Sequence, residues 1–210
     1  NKKYSKKEEE FSGISDMLEG RHHVIPIMSN DDEEAAEKVD IPQILPILTL
    51  RSSVLFPGSI TPITVGREKS MKLVREVEGV GGILGAVLQK EPEVEQPGPD
   101  DLYRIGTAAR ILKVLEMPNG NLTVILHGLE KVEISEFVVS EPYFKASVAT
   151  LKDSAPDQNN IEFEALVDSI KDVALNIINV SPQMPKEATF AIKNIDNKRG
   201  IINFICSNLD

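Results

Sequence analysis

Two runs decide the fold class: Ile44-Leu45-Pro46-Ile47-Leu48-Thr49-Leu50 and Ile60-Thr61-Pro62-Ile63-Thr64-Val65, with Phe56-Pro57-Gly58 between them. Both are short, apolar and rich in β-branched residues, and turn residues separate them, which is the pattern of β-strands. Each carries a proline, which cannot donate to a ladder; Pro46 is therefore predicted at an edge or bulge. Phe56-Pro57-Gly58 reads as a turn.

Working outward toward the C-terminus, Arg67–Glu78 reads as a helix, with Met71, Val74 and Val77 on one face and Leu73 beside them. Gly79 closes it and Gly81-Gly82 turns the chain back into a buried strand, Ile83–Gln89. Glu91–Asp101 holds three prolines and five acids and reads as an exposed loop. A longer β run covers Tyr103–Glu116. Asn119-Gly120 predicts a type I′ hairpin, because both residues tolerate positive φ. Return strands follow at Asn121–His127 and, separately, Lys131–Val139, and Tyr143–Leu151 alternates cleanly. The period then turns helical. Phe163, Leu166, Val167, Ile170, Val173, Ala174, Ile177 and Ile178 predict one helix over Asn160–Asn179, and Glu187–Asn194 and Lys198–Leu209 read as two shorter ones.

The organisation predicted is an acidic flexible tail over 1–40, a β-rich unit over 41–155 and a helical unit over 156–210. The tail carries 11 acidic and 6 basic residues and one apolar island, Val24-Ile25-Pro26-Ile27-Met28. It is predicted disordered or loosely docked. Short strands with turn signals suit a small barrel or a sandwich, and the pattern does not choose between them.

The whole chain has 210 residues and a net charge of -10. That acidity argues against nucleic acid, whose phosphates require clustered Lys and Arg. No apolar run approaches the roughly 18 residues of a membrane span, so no membrane partner is expected. A single cysteine, Cys206, permits neither an intrachain disulfide nor a cysteine zinc site and suits a reducing, cytoplasmic setting.

The motifs of catalysis are missing from the sequence. No glycine precedes a lysine, so there is no Gly-Lys-Ser/Thr phosphate loop, and there is no Gly-x-Ser-x-Gly nucleophile elbow. His22 and His23 sit in the tail, and His127 reads as a structured residue at a strand end. Cys206 falls at a core-like helical position beside Ile202 and Ile205. No catalytic, cofactor or metal residue is assigned, and the residues themselves describe a non-catalytic binding module.

Three blocks carry a family likeness: Leu45-Pro46-Ile47-Leu48-Thr49-Leu50-Arg51 with Leu55-Phe56-Pro57-Gly58 and Thr61 through Ser70; Leu102-Tyr103-Arg104-Ile105-Gly106-Thr107-Ala108-Ala109-Arg110-Ile111; and Gly128-Leu129-Glu130-Lys131-Val132 with Glu141-Pro142-Tyr143-Phe144. In order and spacing they resemble the N-terminal domain of the Lon family of ATP-dependent proteases. The resemblance implies an α+β fold: a PUA-like small β-barrel with one helix (pseudouridine-synthase-and-archaeosine-transglycosylase-like), followed by an α-helical bundle. It implies a bacterial, cytoplasmic parent whose missing parts carry an ATPase that uses ATP and Mg and a Ser–Lys protease. The piece in hand would recognise unfolded or degron-bearing substrates and help organise a homohexamer, without catalysis or cofactor of its own. The alternative is a stand-alone adaptor or ligand-binding module of the same type.

Four apolar residues in turns stand out as candidate substrate contacts: Leu55 and Phe56 before Pro57-Gly58, and Met117 and Pro118 at the hairpin tip. Apolar side chains in loops either cap a core or offer surface to unfolded polypeptide. Methionine suits such contacts because it is flexible and polarisable.

Overall fold

The computed structural model describes residues 39–78, 82–152, 160–181, 189, 192, 193, 195 and 198–207. Residues 1–38 of the tail, Gly79 and Gly81, the Ser154–Gln158 boundary and most of Glu187–Asn194 lie outside the described residues.

The chain runs β1 (Ile44–Leu50), β2 (Ile60–Val65), α1 (Glu68–Glu78), β3 (Ile83–Leu88), a 3-10 turn (Pro99–Asp101), β4 (Ile105–Glu116), β5 (Leu122–Val139), β6 (Lys145–Thr150), α2 (Ile161–Val180) and α3 (Lys198–Cys206). The six strands form one mixed sheet in the order β2-β5-β4-β3-β1-β6, and β5 pairs again with β6. That second pairing joins β5, β4, β3, β1 and β6 in a ring. β2 hangs outside it on β5, so the sheet is not a clean barrel. β1 and β3 are parallel, and the other pairs are antiparallel.

Pro46 departs from its expected place, since β1 lies inside the sheet. It stands where β1 changes partner: Ile44–Pro46 pair with β6, and Ile47–Leu50 pair with β3. The missing N–H therefore falls at a handover between ladders. Pro62 does lie on an edge, because β2 pairs with β5 alone.

The two return strands are one 18-residue strand, β5. Gly128 reads as a break but serves a close approach: a Cβ there would stand 2.2 Å from the Phe56 carbonyl oxygen. The register shift opposite, between Ala108 and Ala109, absorbs the extra residue and bends the ribbon. His127 consequently lies inside β5, opposite Ile60 and Arg110, and not at a strand end.

The hairpin is not type I′. Only Gly120 has positive φ (+83°), and no non-glycine residue does among those described. The Met117 N–H donates to the Asn121 carbonyl, and the Gly120 N–H donates to the Met117 carbonyl. This is a three-residue loop, Pro118-Asn119-Gly120. Proline at its first position sets a negative φ and carries the turn into a single left-handed glycine.

Alternate residues of β1 face opposite sides, so one strand feeds two cores. Leu48 and Leu50 join Leu84, Val124, Leu126 and the α1 residues Leu73, Val74 and Val77. Leu45 and Ile47 join Val87, Val132, Ile134 and Ala146. A third, smaller cluster of Ile178, Ile192 and Phe204 holds α2 to α3. The Asn160 side chain caps α2 by accepting from the Phe163 N–H (3.0 Å). Asn203 of α3 donates to the Pro57 carbonyl (3.2 Å), tying the helical pair to the β1–β2 loop.

Candidate functional site

The β1–β2 loop is pinned at several points. Thr107 Oγ1 donates to the Leu55 carbonyl (2.6 Å), the Gly58 N–H to the Gly128 carbonyl (2.9 Å), and the Gly128 N–H to the Ser59 carbonyl (2.8 Å). Ser59 Oγ closes the Phe56–Ser59 turn onto the Phe56 carbonyl (2.6 Å). The loop thereby leans over β3 and the start of β4.

Between them lies a groove of about 480 Å³, with Leu50, Leu55, Ala86, Leu88 and Gly106 in its wall and Val54, Tyr103, Arg104 and Ile105 completing it. Gly106 keeps β4 close against β3, since a Cβ there would come within 2.6 Å of the Ala86 carbonyl oxygen. Tyr103 is held by its N–H on the Leu88 carbonyl (3.0 Å), and Arg104 by its carbonyl, which accepts from the Ile134 N–H (2.7 Å). Val54 and Tyr103 are each 49% exposed and Ile105 is 54% exposed, so three large apolar side chains stand at the mouth. Arg104 is the one charged residue among those lining it. A concave apolar site of this size with few polar groups has the character of a binding pocket.

The four residues singled out by sequence fare differently. Leu55 is 2% exposed and belongs to the main core. Its side chain caps that core and lines the groove wall, so it is not a surface contact; the carbonyl bond to Thr107 holds it there. Phe56 is half-buried. Met117 is 41% exposed, and Pro118 is also exposed. The turns do not converge. Gly106 of the groove and Met117 stand near opposite ends of β4, roughly 35 Å apart along the strand at about 3.3 Å per residue. Val54, Tyr103 and Ile105 carry no local signal of the groove, because Val54 lies in the β1–β2 loop and Tyr103 and Ile105 at the entry to β4, which meet through the β1–β3 and β3–β4 pairings.

Among the titratable groups, burial and then the nearby Arg110 hold His127 below its ordinary value. Tyr143 donates to Glu76 Oε2 (2.6 Å); that bond, then burial, pushes its pKa up to about 12. Neither lines the groove. Among the described residues no three of His, Cys, Asp and Glu gather as a metal would require. No helix among them is long and apolar enough to cross a membrane.

Fold and groove together define a mixed-sheet module with an apolar, peptide-sized cleft and an attached helical pair. The chain belongs to the family described as the ATP-dependent protease La (LON) substrate-binding domain, whose family model matches residues 44–210. It is 49% identical to a Lon protease of Flavobacterium johnsoniae over 187 residues, 89% of this chain and 23% of that protein. A Lon protease of Porphyromonas gingivalis is 39% identical over 202 residues, 94% of this chain and 24% of that protein. The chain thus spans about a quarter of the length of these relatives. The N-terminal domain of the Mycobacterium avium complex Lon protease shares the fold, with a TM-score of 0.60 at 16% identity over 80% of this chain and 84% of that one.

Proposed function

We propose that this chain is the substrate-recognition and assembly region of an ATP-dependent serine protease that degrades misfolded and regulatory proteins, and that it does no chemistry itself. The observation that carries the reading is the groove ringed by Val54, Tyr103 and Ile105, on a chain whose family is a substrate-binding domain. In this reading residues 41–155 are a PUA-like unit, 156–210 begin a helical bundle, and 1–40 are an acidic tail. ATP, Mg and the Ser–Lys pair belong to parts outside this chain, and the whole works as a cytoplasmic homohexamer. The modest share of each relative that the chain covers supports a larger protease over a stand-alone adaptor.

Unfolded polypeptide differs from folded protein by its exposed apolar side chains, and the groove offers them matching surface. Burying one such side chain contributes roughly 1.5–3 kcal/mol. One groove therefore binds weakly, and several tethered copies in a ring bind well through raised effective concentration. Phe56, Met117 and Pro118 serve as secondary contacts, and Leu55 acts only through the groove wall.

The test is a full-length protease carrying Val54→Ser together with Ile105→Ser, both at exposed positions. Capture of an unfolded protein should weaken about tenfold or more, as expected when two apolar contacts are lost. Hydrolysis of a small peptide should not change. Unaltered capture by this variant would place the substrate surface elsewhere.

A further inference from the structure

A second cavity, of about 590 Å³, adjoins the groove: Leu50 lines both, Val54 and Leu55 line the first, and Arg51, Ser52 and Ser53 line the second. Arg51, Arg67 and Glu95 are its charged groups, and Ser70 adds a further hydroxyl. Two cations thus face one carboxylate, in a chain whose overall charge is -10.

Each arginine is held in place. Arg51 Nη2 meets Glu95 Oε2 at 3.0 Å. Arg67 instead bonds neutral oxygens, with Nη2 on Gln89 Oε1 (2.7 Å) and on the Val94 carbonyl (3.2 Å). Gln89 is 1% exposed, and its amide is fixed by the Glu91 carbonyl (2.6 Å) and the Val94 carbonyl (3.1 Å). The Arg67 head is therefore braced by a buried amide and does not spend its charge on a carboxylate bond. Burial lowers its pKa, the nearby Arg51 lowers it further, and Glu95 opposes both. Arg67 lines the cavity, its bonds to Gln89 and Val94 both come from Nη2, and a guanidinium is a donor suited to oxyanions.

We propose that this cavity binds the carboxylate of an Asp or Glu that flanks the apolar stretch held in the groove. The chain would then select unfolded segments that pair an apolar run with an adjacent acid, one half read by each cavity. This rests on the groove reading above. Inorganic phosphate shares the oxyanion chemistry, but the cavity's contact with the groove favours a carboxylate on the same peptide.

The test uses two labelled apolar peptides, identical except for a flanking Asp or Asn, and fluorescence anisotropy on the 210-residue chain. The Asp peptide should bind about tenfold tighter, the size of a charge-assisted hydrogen bond. Arg51→Gln should erase that preference. Glu95→Gln should enlarge it, because Arg51 is freed from its ion pair, and a merely structural role for Glu95 would not produce a gain. Equal binding of the two peptides, or a preference unmoved by both substitutions, would overturn the proposal. If phosphate at concentrations below the peptide's removes the preference while Asn-peptide binding stays unchanged, the ligand is a free anion, and the peptide assignment falls. If neither peptide binds even at the high peptide concentrations that a single weak groove calls for, the groove reading has failed. The cavity is then tested alone by adding acetate or inorganic phosphate and following the amide signals of Ser52, Ser53 and Ser70. Shifts there would uphold an oxyanion site, and their absence would end it.

Discussion

The sheet and the helical pair are built from similar apolar content yet bury it very differently. The sheet turns back on itself through β5–β6 and packs two clusters on its two faces, with Leu45, Leu73, Leu84 and Leu126 inaccessible. α2 has 20 residues and buries only Val167 and Ile178. Leu166, Ile170, Val173 and Ile177, which the helical period assigns to an apolar face, are exposed. A strand ring satisfies its edges and encloses its core within one unit. Among the described residues, α2 packs against little more than α3, Ile192 and Ile195. The difference teaches that the sheet buries its own core, while among the described residues α2 and α3 form a lightly packed annex.

The largest expected effect breaks the sheet half of that contrast. Leu84→Ala should cost about 2–5 kcal/mol in urea unfolding, the range for a leucine deleted from a tight core. A loss below 1 kcal/mol would mean the core is looser than its burial indicates.

Phe204→Ala addresses the other half. It should melt the α2–α3 contact locally, seen as faster amide exchange in both helices. The sheet's unfolding free energy should change by no more than about 0.5 kcal/mol, as for independent sites. A large loss shared by sheet and helices would make them one cooperative body.

The strands and helices of this contrast were largely legible in the sequence. β1, β2 and β3 follow from short apolar runs bounded by turn residues, and α1 and α2 from apolar residues repeated at the helical period. The continuity of β5 was not legible: Gly128 looks like a break, and only the facing Phe56 carbonyl explains it. Asn119-Gly120 alone points to a type I′ turn, but Pro118 fixes a negative φ and makes the loop three residues long. Among the candidate contacts, Leu55 and Met117 look alike in sequence as apolar residues in proline-containing turns. The hydrogen bond from Thr107, 52 residues away, decides that one is core. The groove depends wholly on pairing between distant segments, which no local pattern records.

Smaller effects sharpen how the sheet joins α1. Tyr143→Phe removes the hydrogen bond to Glu76 and should cost roughly 0.5–1.5 kcal/mol. The folded phenol's pKa is raised from 10.0 to about 12, so its contribution is complete below pH 10 and is lost as pH climbs toward 12. The gap between native protein and variant should therefore close over that window. A constant gap would remove Glu76 from the account.

His127 gives the smallest expected effect and has the opposite sign. Its folded pKa is depressed below 6.5, so its contribution is present above that pH and fades as pH falls. His127→Gln should flatten the acid side of the stability curve without altering its neutral plateau. An unchanged acid limb would show that the imidazole charges freely in place.

The central claim is that unfolded polypeptide docks in the groove of the sheet, not on the exposed stripe of α2. A photo-crosslinking side chain placed in turn at Ile105, Met117 and Leu166 tests it most directly, with an unfolded protein as the bait. The account expects strong crosslinking at Ile105, weaker crosslinking at Met117 and a background signal at Leu166. Crosslinks concentrated at Leu166, with Ile105 silent, would contradict it.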